Sequence, residues 1–118
     1  MEKKFDGLRY YVERVWDFSI TILLEDKGVF TSGGPDEYII DIDYKQVFED
    51  EYLYEKDSIE SVINAFCDKV DDRMYNALPN WDEFKDYQEI EGYEECMKAA
   101  REACIKPLTE LWNQSREA

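Results

Sequence analysis

The chain has 118 residues, 44% apolar and 15% aromatic, which suits a single domain of residues 1–118 and is too apolar for a disordered acidic tail. It carries 29 acidic against 14 basic side chains, a formal charge of −15, and no histidine. A nucleic-acid binder needs clustered Lys and Arg, and a missing histidine removes the usual general base and the commonest nitrogen ligand for a metal.

The elements read as strands first and helices later. Leu8, Tyr11, Val12 and Val15 have helical spacing and predict a short helix, although Tyr10, Val12 and Trp16 also fit a strand. Trp16, Phe18, Ile20, Ile22 and Leu24 alternate with mostly polar neighbours, the period of a strand with one buried face. Lys27-Gly28 and Ser32-Gly33-Gly34-Pro35 are turn signals, with room for a short strand at Val29-Phe30 between them. Tyr38, Ile40, Ile42 and Tyr44 form a second alternating run, expected to pair antiparallel with the first. Asp57 or Ser58 then caps a helix whose stripe is Ile59, Val62, Ile63, Phe66, Val70 and Met74, ending near Leu78 before Pro79-Asn80.

A helical turn is expected across Asp82 to Tyr87. Tyr93, Cys96, Met97, Ala100 and Cys104 mark a last helix. Pro107 should kink or restart it ahead of Leu108, Leu111 and Trp112. The expected fold is α+β: a short antiparallel sheet of two to three strands packed against two or three helices. No apolar run approaches the ~18 residues of a membrane span, and Met1–Gly7 lacks the apolar segment of a secretory signal. The odd cysteine count, with Cys67, Cys96 and Cys104 too widely spaced for a zinc site, points to reduced thiols and a cytoplasmic protein. All three thiols read as small buried hydrophobes.

Two motifs invite a catalytic reading. Asp36 followed by Asp43-Tyr44-Lys45 has the acid, acid-x-lysine order of metal-dependent nucleases that resemble restriction enzymes, with Asp43 and Lys45 on one strand face. Only six residues separate the two acids, too few for neighbouring strands, and phosphate-binding cations are scarce around them. Asp41-x-Asp43 and Asp68…Asp71-Asp72 lack the ordered oxygen ligands of a calcium loop. No metal, no cofactor and no catalytic residue is therefore expected. A small metal-dependent hydrolase using Asp41 and Asp43 stands as an alternative.

The charge is concentrated. Residues 31–95 hold 20 acids against 5 bases, while the flanking segments are nearly balanced. Such a block opposes compaction, so a basic partner is the simplest reason for it. Within it, Glu49-Asp50-Glu51-Tyr52-Leu53-Tyr54-Glu55 and Trp81-Asp82-Glu83-Phe84-Lys85-Asp86-Tyr87 interleave acids with aromatics. Such runs are either an amphipathic core edge or an interface with aromatic anchors. The candidate contact residues are Asp36, Glu37, Asp41, Asp43, Glu49, Asp50, Glu51, Tyr52, Tyr54, Glu55, Asp68, Asp71 and Asp72.

Asp36-Glu37-Tyr38-Ile39-Ile40, followed after an acidic link by Ser58-Ile59-Glu60-Ser61-Val62-Ile63-Asn64-Ala65-Phe66, resembles the small acidic phage anti-CRISPR proteins that inhibit Cas9. The likeness covers about a quarter of the chain. It implies a non-enzymatic inhibitor whose carboxylates replace DNA phosphates at a basic surface that reads DNA. The partner expected is thus a basic nucleic-acid-binding protein such as a nuclease, with no direct binding of nucleic acid and no membrane. A bacterial immunity protein neutralising a basic toxin is the nearest alternative.

Overall fold

Every residue from Ile20 to Leu24 is buried, Thr21 and Leu23 included, as befits a strand flanked on both sides by others. The computed structural model describes residues 7–28, 36–78 and 86–117. Its three strands are β1 (Leu8–Val15), β2 (Ser19–Asp26) and β3 (Asp36–Asp43), antiparallel in the order β1-β2-β3. Helices α1 (Tyr44–Asp50), α2 (Ile59–Asn76) and α3 (Tyr93–Arg116) complete an α+β arrangement. Among the described residues no helix is long and apolar enough to cross a membrane.

Residues 8–15 are strand, not the expected short helix. Leu8 and Tyr10 are buried, and β1 pairs with β2 from Leu8↔Asp26 to Val15↔Ile20. A register shift between Val12 and Arg14 breaks the alternation. That irregularity is why the run imitated helical spacing. Trp16 and Phe18 are likewise not on a buried strand face. They sit between β1 and β2, Phe18 is 62% exposed, and the two rings stack at 6.0 Å. Tyr44 does not extend β3 but opens α1, because the Asp43 carboxylate accepts the Gln46 backbone N–H at 2.9 Å and caps the turn. Lys45 consequently lies on a helix and shares no strand face with Asp43.

One face of the sheet supplies Leu8, Tyr10, Ile20, Ile22, Leu24, Ile40 and Ile42 to the core. The stripes of α2 (Val62, Phe66, Val70, Met74) and α3 (Cys96, Ala100, Cys104, Leu108) close over it. Each fully buried Val, Leu, Ile or Phe contributes ~1.5–3 kcal/mol. Ser58 caps α2 by accepting the Ser61 N–H at 3.2 Å.

Pro107 does not restart the helix, and α3 runs through it from Tyr93 to Arg116. Leu108 is buried, and Trp112 beyond it donates to the Lys56 carbonyl at 3.2 Å, so both halves of α3 are anchored to the same core. The expected turn over Asp82–Tyr87 lies mostly outside the described residues; a single 3-10 turn spans Tyr87–Glu89. The short strand proposed at Val29-Phe30 also lies outside them.

Gly92 joins that turn to α3 against the edge of β1. Its φ is +86°, and an added Cβ would lie 1.8 Å from the Tyr10 carbonyl oxygen. Only glycine permits this approach, which brings the Tyr10 N–H to the Glu91 carbonyl at 2.9 Å.

Candidate protein-binding surface

The acidic candidates divide into three groups once folded. The first lies where α1 ends. Glu51 closes α1, and Tyr52 takes a left-handed conformation (φ 53°), the one non-glycine residue among those described with positive φ. Leu53 then turns inward and is buried, whereas Tyr52 is 59% and Tyr54 40% exposed. Left-handed backbone costs an L-residue roughly 1–2 kcal/mol. Here it places two tyrosines outside the core, their rings 6.0 Å apart and edge-on.

The Lys56 carbonyl, held by Trp112 and Arg116 of α3, fixes the far end of the turn. These long-range ties were invisible in the sequence, since Trp112 and Arg116 lie 56 and 60 residues from Lys56.

Beside this turn runs one side of α2. Lys69 Nζ sits 3.0 Å from the Glu51 carboxylate and 3.7 Å from that of Asp72. Its pKa is raised, first by the hydrogen bond to Glu51, so it stays charged between them. Asp68 and Asp72 line an open depression of about 350 Å³ with Glu51 and Lys69. Glu49, Asp50, Glu51, Glu55, Asp68 and Asp72 are all exposed, and their nearby cations are Lys45, Lys56 and Lys69. The surface thus combines two exposed tyrosines, Tyr54 resting on Phe48, with the exposed carboxylates of the same segment and of the adjoining side of α2.

Asp71 belongs elsewhere. It is half-buried, where Asp68 and Asp72 are exposed, and accepts from Tyr87 Oη at 2.6 Å, from Tyr93 Oη, and from Gln88 Nε2 at 3.2 Å. Tyr10 joins the same cluster edge-on to Tyr93 and donates to the Met74 carbonyl at 2.8 Å. Burial first, then the hydrogen bond to Asp71, pushes Tyr87 up to about 12 and raises Tyr93 further. These hydroxyls remain neutral donors and lock α2 to the start of α3.

The third group lies on the sheet. Asp36 accepts the Glu37 N–H at 3.0 Å, and Glu37 accepts from Tyr11 Oη at 3.2 Å. Asp41 accepts from Thr21 Oγ1 at 2.6 Å, while its backbone oxygen takes a hydrogen bond from Arg73 at 3.0 Å. Asp41 and Asp43 are therefore each engaged by their own chain, one by a cross-strand hydroxyl and one as a helix cap. Among the described residues no three His, Cys, Asp or Glu side chains converge to hold a metal ion.

The cysteines are free thiols, with Cys96 and Cys104 buried and Cys67 half-buried. Burial pushes the Cys96 thiol up to about 12. Cys67 is lowered, chiefly by a hydrogen bond with Cys104, with the nearby Arg101 guanidinium adding to the effect.

Compared with protein-family models, with curated proteins and with solved structures, the chain matches none of them.

Proposed function

We propose that this protein is a non-enzymatic inhibitor that binds the basic nucleic-acid-binding surface of a partner protein as a DNA mimic. A single observation carries the reading: Tyr52 and Tyr54 are exposed at a left-handed turn, in a segment that also exposes Glu49, Asp50, Glu51 and Glu55 and that Lys69 ties through Glu51 to Asp72 of α2. A solvated edge of a core accounts for exposed acids but not for two exposed tyrosines displayed at a conformational cost. Interfaces, by contrast, use tyrosine as an anchor and meet carboxylates with arginine.

Duplex DNA carries one negative charge per ~1.7 Å, so a protein that grips it presents a dense array of Lys and Arg. An acidic surface on a fixed scaffold occupies that array without being cut and gains from electrostatic steering. A nuclease such as Cas9, which reads its PAM with arginines, fits this chemistry. It is also the target class implied by the anti-CRISPR likeness of residues 36–40 and 58–66. A phage origin and a cytoplasmic site of action go with such a target.

The test is affinity capture on the immobilised protein from a bacterial lysate, followed by elution with duplex DNA. Nucleic-acid-binding proteins released by the DNA are the expected result. Captured partners that duplex DNA leaves in place would contradict mimicry.

A further inference from the structure

The sheet has a second face, and among the described residues no helix packs on it. Its residues form three rows across the strands: Arg9–Glu25–Glu37, Tyr11–Leu23–Ile39 and Arg14–Thr21–Asp41. The middle row is apolar, with Leu23 buried at its centre, Tyr11 half-buried and Ile39 68% exposed at the β3 edge. The outer rows are polarised across the sheet, with arginines on β1 and carboxylates on β3. Tyr11 confirms the orientation, since its ring lies 4.9 Å from the Arg9 guanidinium and its hydroxyl reaches Glu37.

We propose that this face docks on the same face of a second copy of the chain, forming a two-fold dimer. The pattern selects both the partner and the axis. With a two-fold axis parallel to the strands over Leu23, β1 of one copy lies above β3 of the other, row for row. Arg9 then meets Glu37 of the other copy, Arg14 meets Asp41 and Tyr11 meets Ile39, four arginine–carboxylate pairs in all against one like-charged Glu25 pair on the axis. An axis perpendicular to the strands, in the plane between the sheets, would instead set Arg9 against Arg14 and Glu37 against Asp41. Stacked sheets pack about 10 Å apart with a rotation near 30°, a gap and offset that arginine side chains span.

Such an interface is self-complementary, as a two-fold requires. It lies on the opposite side of the sheet from α2, so it leaves Asp68 and Asp72 open.

The affinity should be modest. Three strands of eight residues present roughly 14 Å by 26 Å, about 370 Å² per copy, from strand spacing and rise, which is below the ~800 Å² per partner of a standard interface. Each copy also carries a charge of −15, so the dimer should be measured near 0.15 M salt, where the screening length is ~8 Å. A weak, transient association is expected for an interface of this size.

The decisive experiment uses Arg9→Glu and Glu37→Arg in separate full-length chains. In either homodimer the pair becomes like-charged at both ends, whereas a heterodimer of the two restores both pairs. Sedimentation equilibrium should show the wild type associating with concentration, each variant alone at least tenfold weaker, and the equimolar mixture close to wild type. Ile39→Arg, at an exposed position, should abolish association alone or in any mixture. Circular dichroism confirms that each chain is folded. A wild type that stays monomeric to several hundred micromolar would leave the face to a different protein and overturn the proposal. So would variants that dimerise like the wild type, or a mixture no tighter than its components.

Discussion

Two tyrosine–carboxylate clusters sit on this small protein, and they use the same chemistry in opposite ways. Around Asp71, Tyr87 and Tyr93 point inward, donate to one carboxylate and tie α2 to α3. Around Glu49 to Glu55, Tyr52 and Tyr54 point outward, and the carboxylates beside them face water. In the first cluster the acid serves the fold. In the second the fold tolerates an unfavourable backbone at Tyr52 to display the aromatics. The contrast teaches that charge and aromaticity become evidence of binding only after the hydrogen bonds within the chain have claimed their share.

Damage to the inward region should cost stability first. Gly92→Ala drives a Cβ into the Tyr10 carbonyl and holds alanine at a positive φ, so a loss of about 3 kcal/mol is expected from strain and displacement together. Urea unfolding monitored by circular dichroism gives the value. A change below about 1 kcal/mol would mean that the Gly92 segment is not seated on β1.

Asp71→Ala removes the shared acceptor of Tyr87 and Tyr93 and should lower stability by ~2 kcal/mol, the usual range for half-buried donors left without a charged partner. Partner association should be unchanged by it. A slowed association in a folded Asp71→Ala chain would merge the two clusters and remove the distinction between them.

High pH acts on the inward cluster as well. Burial raises Tyr10, Tyr87 and Tyr93 above the free value of 10.0, and Tyr44 with them to about 12. These groups favour the folded state fully below pH 10, where both states hold the proton. Above it the unfolded chain ionises while the folded chain does not, and stability is lost as pH rises toward 12 and beyond. Alkaline unfolding, followed by circular dichroism, should therefore bring a coincident step of tyrosinate absorption from Tyr10, Tyr44, Tyr87 and Tyr93. Unfolding with no such step would show that these hydroxyls are not confined.

The smallest effect should come from Tyr52→Asn. Asparagine tolerates the left-handed conformation, so stability should rise by a few tenths to ~1 kcal/mol. Partner affinity should fall about tenfold as the aromatic anchor is lost. Opposite signs in the two measurements would mark Tyr52 as kept for binding. Loss of stability with unchanged affinity would mark it as structural.

Local patterns made some of this legible and left the rest hidden. The stripe from Ile59 to Met74 and its Ser58 cap are consecutive and periodic, so α2 is readable directly. β1 is not, because its irregularity near Glu13 breaks the alternation and leaves a spacing that helices share. Trp16 and Phe18 continue the parity of Ile20, Ile22 and Leu24, so nothing local separates the turn from the strand.

The acid block was visible, but its division was not. Asp71 stands next to Asp72 in the chain, yet its donors arrive from Tyr87 and Tyr93, 16 and 22 residues away. The exposure of Tyr52 and Tyr54 likewise follows from Leu53 taking the inward position, a choice that acids on either side do not reveal. The open sheet face became recognisable only with the register of all three strands.

The central claim is that the outward cluster, and not the acid content as a whole, engages the partner. It is tested by the association rate of a purified captured partner with the wild type and with Glu49→Lys/Asp50→Lys/Glu51→Lys, each at low and high salt. Screening shortens from ~10 Å at 0.1 M to ~3 Å at 1 M, and steered association gains 10- to 1,000-fold over its unsteered rate. The wild-type rate should fall steeply with salt, and the reversed chain should start about a hundredfold lower and respond little to salt. Equal rates and equal salt dependence for the two chains, both folded, would contradict the account.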